Sequence, residues 1–295
     1  MIRQNLTVIT GPTGSGKTAL AIEVALRLGA EIISADSRQI FKEIPIGTAA
    51  PSAEELAAVR HYFIGTHSLT DYYSAAQYEA DVLRLLPGLG PEVVMCGGSM
   101  MYVDAVLRGI DDIPTISDSN RERAMNVYRE GGLQRLRLEL LEMDPVYYRQ
   151  VDLNNHKRLI HALEIMYESG QRYSALRVGA PKKRDFKALK VAIDMPREEL
   201  FERINARVEA MMKAGWLEEA WKVYPMRGLN SLNTVGYKEL FTYFDGETDL
   251  PTATARIAKN TRVYAKKQLT WLRKDPDVIW VKPDEAVEII LNRGR

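Results

Sequence analysis

Residues Gly11-Pro12-Thr13-Gly14-Ser15-Gly16-Lys17-Thr18 fit the pattern G-x-x-x-x-G-K-[ST] and decide how the chain around them is read. Leu6 to Thr10, just before them, is a short apolar and β-branched run, and Ala19 to Leu28, just after, repeats apolar residues at helical spacing. Strand, glycine-rich loop and helix in that order make an anion cradle. The glycines let backbone N–H groups curl around a phosphate, and the helix N-terminus adds partial positive charge. Lys17 is placed to reach a terminal phosphate and the Thr18 hydroxyl to reach Mg²⁺. The pattern calls for a diphosphate-bearing ligand and does not demand a triphosphate.

Outward from the loop, short apolar runs at Glu31 to Ala35, Val93 to Cys96, Leu189 to Met195 and Val278 to Val281 predict further strands. Helical patterning at Ser74 to Leu86, Arg197 to Lys213 and Thr252 to Arg273 separates them. Strands alternating with helices predict an α/β fold, a P-loop NTPase-like parallel sheet flanked by helices. The alternation stops after Gly109. Between Ser117 and Arg184 only helices are predicted, at Asn120 to Arg129, Leu133 to Met143 and His156 to Glu168. The expected organisation is a core of residues 1–116 and 186–295 interrupted by an all-helical subdomain, 117–185.

The composition narrows the function classes. In 295 residues, 46% are hydrophobic and 27% charged, which is ordinary for a soluble globular chain and unlike a disordered or collagenous one. The single cysteine, Cys96, excludes an intramolecular disulfide and a thiolate metal cluster, and a reducing cytoplasm is the expected location. The first ten residues lack a basic and apolar leader pattern, so no secretory signal is expected. No membrane association is expected either, because no window reaches 18 uncharged apolar residues. His156 and His161 are five apart and do not share a helical face, so they make a poor metal pair. With 40 basic against 39 acidic side chains, the net charge of +1 speaks against nucleic acid as a partner unless the charge is local. It is local. Seven cations (Arg172, Arg177, Lys182, Lys183, Arg184, Lys187, Lys190) accompany one acid, Asp185, between Gln171 and Lys190. Seven more (Arg256, Lys259, Arg262, Lys266, Lys267, Arg273, Lys274) stand without an acid between Ala255 and Lys274. Two such stretches flanking a phosphate-binding core fit a clamp for an RNA backbone.

A second strand ending in a carboxylate is the usual companion of a phosphate loop. The Cys96 strand ends in Gly97-Gly98-Ser99, whereas the Glu31 strand runs into Asp36, at the carboxyl edge of the sheet where ligands bind. From position alone Asp36 suits Mg²⁺ support, general-base work or helix capping. Cys96 reads as a core residue, as do Met211, Met212, Trp216 and Trp221; Trp271 suits either a core or a base-stacking position.

Several segments then resemble one family in order and spacing: Gly11 to Thr18; Asp36-Ser37-Arg38-Gln39 with Ile46-Gly47-Thr48-Ala49; Gly97 to Tyr102; Asn155 to Glu164; Val235-Gly236-Tyr237; and Thr261 to Arg273. From residue 6 to about 280 the chain is similar to the bacterial tRNA dimethylallyltransferases, also called tRNA isopentenyltransferases. That resemblance implies transfer of a dimethylallyl group from dimethylallyl diphosphate to N6 of the adenosine just 3′ of the anticodon, adenine-37, with Mg²⁺ as cofactor. It implies Asp36 as base, Ser99 near the leaving oxygen where relatives usually carry Thr, and Lys17 on the diphosphate with Gly11 to Thr18. It further implies tRNA contacts from Asp36, Ser37, Arg38, Gln39, Ser99, Arg121, Lys157, Arg158, Leu159, Ile160, His161, Gly236, Tyr237, Lys266, Lys267 and Arg273. The helical insertion is expected to touch the anticodon stem-loop, and the protein to act as a monomer. Asn233 departs from the pattern, since many relatives have Arg two residues before the Val-Gly-Tyr. Three rivals are a small-molecule kinase, a transferase acting on free adenine nucleotides and a non-enzymatic RNA-binding protein. The first lacks an Arg-rich lid, the second has less need of the insertion and the basic carboxyl-terminal helix, and the third leaves the phosphate loop beside Asp36 unexplained.

Overall fold

A computed structural model describes residues 4–293. Within them lies one six-stranded, wholly parallel sheet: β1 (Gln4–Thr10), β2 (Glu31–Ser34), β3 (His61–Tyr62), β4 (Glu92–Cys96), β5 (Phe186–Ile193) and β6 (Ile279–Val281), in the spatial order β3-β2-β4-β1-β5-β6. β1 sits between β4 and β5, with Val8 opposite Met95 on one side and Lys190 on the other. Leu6, Val8 and Ile9 are buried, as a central parallel strand covered on both faces requires. One face packs Ile9 and Val191 under the helices Lys17–Leu28 and Ala286–Arg293. The other packs Leu6, Val8 and Met95 under Ala75–Leu85 and Met100–Arg108. A third core, built from Val208, Trp216, Val223, Tyr237, Leu240 and Ile257, joins the helices Arg197–Lys213, Trp216–Val223, Tyr237–Phe244 and Leu250–Leu272.

Two strands differ from the sequence pattern for identifiable reasons. β3 has two residues, too few to show any period. β5 starts at Phe186, three residues before the apolar run, because Lys187 and Lys190 disguise it. Lys190 is 5% exposed and its ammonium pairs with Asp104 (3.2 Å) and Asp275 (2.8 Å). Arg184 is likewise withdrawn from the surface, donating to Glu79 and to the Ala105 carbonyl. These two cations therefore hold β5 against its neighbours and leave the first basic stretch, which corrects its reading as a continuous RNA-facing surface. Trp221 also departs from its expected core position: it is 59% exposed and stacks on Tyr224 at 5.6 Å.

The chain divides into two compact units, one formed by the residues up to Leu107 together with those from Arg184 onward, the other by Arg108–Lys183. The second is all helical: Asp118–Met143, Pro145–Tyr148, His156–Ser169 and Tyr173–Leu176. Asp118–Met143 leaves helical geometry at Gly132 (φ 59), which splits it where the sequence predicts two helices. Leu136, Leu140, Leu159, Leu163 and Met166 form its core. Asp144 is fully buried there and accepts from the Tyr147 and Ser174 N–H groups and the Ser174 hydroxyl. Burial alone would raise its carboxyl, but these hydrogen bonds hold it below the ordinary value. The Lys182 N–H donates to the Arg108 carbonyl at 2.7 Å, so the unit begins and ends at one place.

Candidate active site

The carboxyl ends of β1, β2 and β4 open on a cavity of about 510 Å³ in the first unit. Three chain segments of the predicted site meet there: Thr13, Lys17 and Thr18 from the phosphate loop, Asp36 to Gln39 after β2, and Gly97 to Ser99 after β4. The loop has the predicted form. Gly14 (φ 85) and Gly16 (φ 89) take the left-handed backbone that curls it, and Lys17 begins the helix. Lys17 lays its ammonium against the Pro12 carbonyl at 3.1 Å, and the Gly14 carbonyl accepts from Arg203 at 3.0 Å. Gly11, Pro12 and Ser15 shape the loop without facing the cavity, and the buried Ser15 hydroxyl has no protein partner.

Asp36 fills one of the roles left open by its position. Its Oδ1 accepts from the N–H groups of Arg38 (2.9 Å) and Gln39 (3.3 Å), which makes it the cap of the turn that follows β2. Its other oxygen makes no hydrogen bond to these amides, and the residue lines the cavity. Ser99 fixes the same turn from the opposite strand: its hydroxyl accepts from the Ser37 N–H at 2.9 Å and donates to the Ser37 hydroxyl at 3.0 Å. Gln39 reaches back to the Ala49 carbonyl at 2.9 Å.

The lining is strongly cationic. Lys17, Arg38, Arg207, Lys238 and Lys267 surround one carboxylate, Asp36. Burial lowers the Lys17 ammonium from its ordinary value; Arg207 pushes the same way, while Cys96 and Asp36 oppose it. Burial also lowers Arg38 and Arg207, with Asp36 opposing in both. Cys96 lies at the end of β4, where burial pushes its thiol up to about 11, so it behaves as an inert wall residue. The cavity also has an apolar side made by Ile204, Val208, Met211, Trp216 and Val235. A charged inner end beside an apolar wall matches an amphiphilic ligand with an anionic head.

Arg207, Lys238, Tyr264 and Gln268 are cavity residues that sequence reasoning missed. The signal for Arg207 was present: it lies among Ile204, Val208 and Met211 at helical spacing, a cation on an apolar stripe. Gln268 gives the same sign, a polar side chain between the buried Ala265 and Leu272.

Some family-implied contacts do not reach a surface. Tyr237 is fully buried and donates its hydroxyl to Glu219, while Gly236 is packed against the Trp216 ring. The Val-Gly-Tyr segment opens a core helix, and Asn233, Thr234, Val235 and Lys238 face the cavity in place of Gly236 and Tyr237. In the helical unit Leu159 and Ile160 point into the core, whereas Lys157, Arg158 and His161 are exposed on the helix His156–Ser169. Arg121 stands on Asp118–Met143 with its guanidinium toward the Ile116 carbonyl. Lys266, Lys267 and Arg273 are exposed along and just after Leu250–Leu272, and Trp271 there is 47% exposed with its indole N–H on Asp104. No group of three His, Cys, Asp or Glu suited to hold a metal occurs among the described residues. The Thr18 hydroxyl is a hard oxygen donor, which fits a Mg²⁺ that takes its other ligands from a phosphate and water. Among the described residues no helix is long and apolar enough to cross a membrane.

Known proteins share this architecture. The crystal structure of the full-length tRNA isopentenylpyrophosphate transferase of Bacillus halodurans is similar with a TM-score of 0.70 and 32% identity, over 98% of this chain and 95% of that one. A eukaryotic dimethylallyltransferase acting on tRNA is similar in fold, with a TM-score of 0.79 at 21% identity, over 98% of this chain and 77% of that one. In sequence the chain is 53% identical to tRNA dimethylallyltransferase 2 of Parabacteroides distasonis, over 97% of this chain and 96% of that one. It is 52% identical to tRNA dimethylallyltransferase 1 of Phocaeicola vulgatus over the same shares, 97% and 96%. The model of the IPP transferase family matches residues 39–275. With most of its length matched and half its residues shared with those relatives, the chain belongs to the IPP transferase family.

Proposed function

We propose that the protein is a tRNA dimethylallyltransferase that moves a dimethylallyl group from dimethylallyl diphosphate to N6 of adenine-37 in tRNAs reading codons that start with U. The products are N6-(dimethylallyl)adenosine and diphosphate. The observation that carries this reading is the cavity itself, where a phosphate loop and five cations face a single carboxylate beside an apolar wall. Breaking the allylic C–O bond builds negative charge on the diphosphate, which Lys17, Arg207 and the loop amides are placed to receive. Mg²⁺, held by the Thr18 hydroxyl, supplies further charge neutralisation there when bound. The exocyclic amine of adenine is a weak nucleophile, and Asp36 takes its proton as the N–C bond forms. Ser99 keeps the Asp36-Ser37 turn in place for that transfer. The adenine must leave its stack to reach the cavity, at a cost of a few kcal/mol that RNA contacts elsewhere offset. Arg38, Gln39, Lys266, Lys267 and Arg273 in the first unit, and Arg121, Lys157, Arg158 and His161 in the second, are the proposed contacts. The protein acts as a monomer in the cytoplasm.

The direct test offers labelled dimethylallyl diphosphate together with an adenine-bearing anticodon stem-loop, AMP or ATP. Label in the stem-loop adenine is expected; label in AMP and not in RNA would overturn the assignment. In the Lys266→Glu/Lys267→Glu double variant, stem-loop binding weakens and its dependence on salt becomes shallower. Unchanged affinity would remove this helix from the RNA surface.

Lys17 gives the site a pH signature. Its ammonium is lowered from 10.5 by burial, and only the charged form attracts a diphosphate. Affinity is therefore full below the lowered value and declines as pH rises through it, earlier than a free lysine would impose. Titration of inorganic diphosphate against pH should show this alkaline limb in the wild type and its absence in Lys17→Met. Identical profiles would contradict it.

A further inference from the structure

Gln268 lines the cavity yet has no place in the proposed chemistry. It lies near the end of the helix Leu250–Leu272 and is 2% exposed. Its Oε1 accepts from the Thr13 N–H at 2.8 Å, and its Nε2 donates to the Gly98 carbonyl at 2.9 Å. One amide thus ties the phosphate loop to the segment that carries Ser99. The fit is close on both sides. A Cβ on Gly98 would come within 2.6 Å of Nε2, so this position has room for the glutamine only because it is glycine. An apolar side chain here removes both bonds at once, leaving the buried Gly98 carbonyl without its partner and the part-buried Thr13 N–H free to turn from its present direction.

The same helix carries Thr261, Tyr264 and Lys267 on the cavity side and Lys266 on its exposed surface. We infer that Gln268 is a positioning residue that couples this helix to the phosphate loop, so that RNA on the helix orders the Thr13 amide and tightens diphosphate binding. By linkage, diphosphate tightens RNA binding by the same factor. This inference rests on the proposed diphosphate and RNA sites. A carboxylate would keep only the acceptor and an aliphatic chain neither bond, so the amide's paired donor and acceptor are the point.

The experiment titrates inorganic diphosphate with Mg²⁺ into the full-length protein, with and without an adenine-bearing anticodon stem-loop, and follows Thr13 amide hydrogen exchange. In the wild type the stem-loop should tighten diphosphate binding about fivefold or more, within the usual range of coupling between sites. Gln268→Met should bind diphosphate on the order of tenfold more weakly, as expected for loss of the two hydrogen bonds that hold the loop, and should lose the stem-loop effect. The KM for dimethylallyl diphosphate should rise accordingly, with kcat changing less. A Gln268→Met protein that keeps both the affinity and the stem-loop effect would overturn the inference alone. If that variant does not fold, wild-type exchange decides: Thr13 exchange slowed by the stem-loop supports the coupling, and exchange indifferent to it refutes the coupling. Wild-type protein that ignores both diphosphate and stem-loop would remove the proposed function first, a distinguishable result.

Discussion

Asp36→Asn is expected to lower kcat by about 10²–10⁴-fold, the usual contribution of a positioned general base, while diphosphate binding stays intact. The structure makes this substitution unusually clean. Asparagine keeps an oxygen to accept from Arg38 and Gln39, so the turn after β2 survives and with it the contact between Ser37 and Ser99. What is lost is the second carboxylate oxygen and the only negative charge lining the cavity. Removing that charge from among five cations can only help an anion bind, so diphosphate affinity should hold or rise. Single-turnover rates with stem-loop RNA, compared with diphosphate titration, separate the two effects. A rate within threefold of wild type would take the base role away from Asp36.

Lys17→Ala has the second large effect, and its sign pattern is the opposite. Loss of one preorganised donor to a developing oxyanion costs about 10²–10³-fold in rate, and here the same ammonium also binds the ground-state diphosphate. Both kcat and diphosphate affinity should therefore fall. Lys17→Arg should not restore them: the ammonium is directed at the Pro12 carbonyl, 3.1 Å away, inside the loop. A planar guanidinium cannot reproduce the point charge of an ammonium at that position. Near-wild-type turnover in either variant would mean that the leaving group is held elsewhere.

The phosphate loop, β1 and the following helix were legible because backbone chemistry dictates them: a cradle of N–H groups needs glycines at fixed places and a strand and helix around them. Asp36 was legible because it follows the end of a strand, and in a parallel sheet the carboxyl ends gather at one edge; Ser99 was legible only through the family resemblance. Helix faces were harder. Residues 235–237 form one motif in sequence, yet Val235 faces the cavity and Tyr237 the core, which depends on how the turn at Gly236 directs the chain. Arg207 and Gln268 were hidden for the same reason, since a polar residue on an apolar stripe becomes meaningful only when the stripe is seen to border a cavity. The basic stretches show the limit of counting charge. Arg184 and Lys190 contribute to the tally like any surface lysine, but their carboxylate partners Glu79, Asp104 and Asp275 lie about a hundred residues away in sequence.

The hydrogen bond between the Lys182 N–H and the Arg108 carbonyl has a bearing on how the helical segment can be altered. A segment that departs and returns at one point constrains the chain on either side no more than a tight turn would, whatever its length. Pairing of β5 with β1 is then indifferent to how many helices hang between Arg108 and Lys182. Lengthening, trimming or replacing that segment changes what the molecule presents to a partner without altering the register of the sheet beneath it.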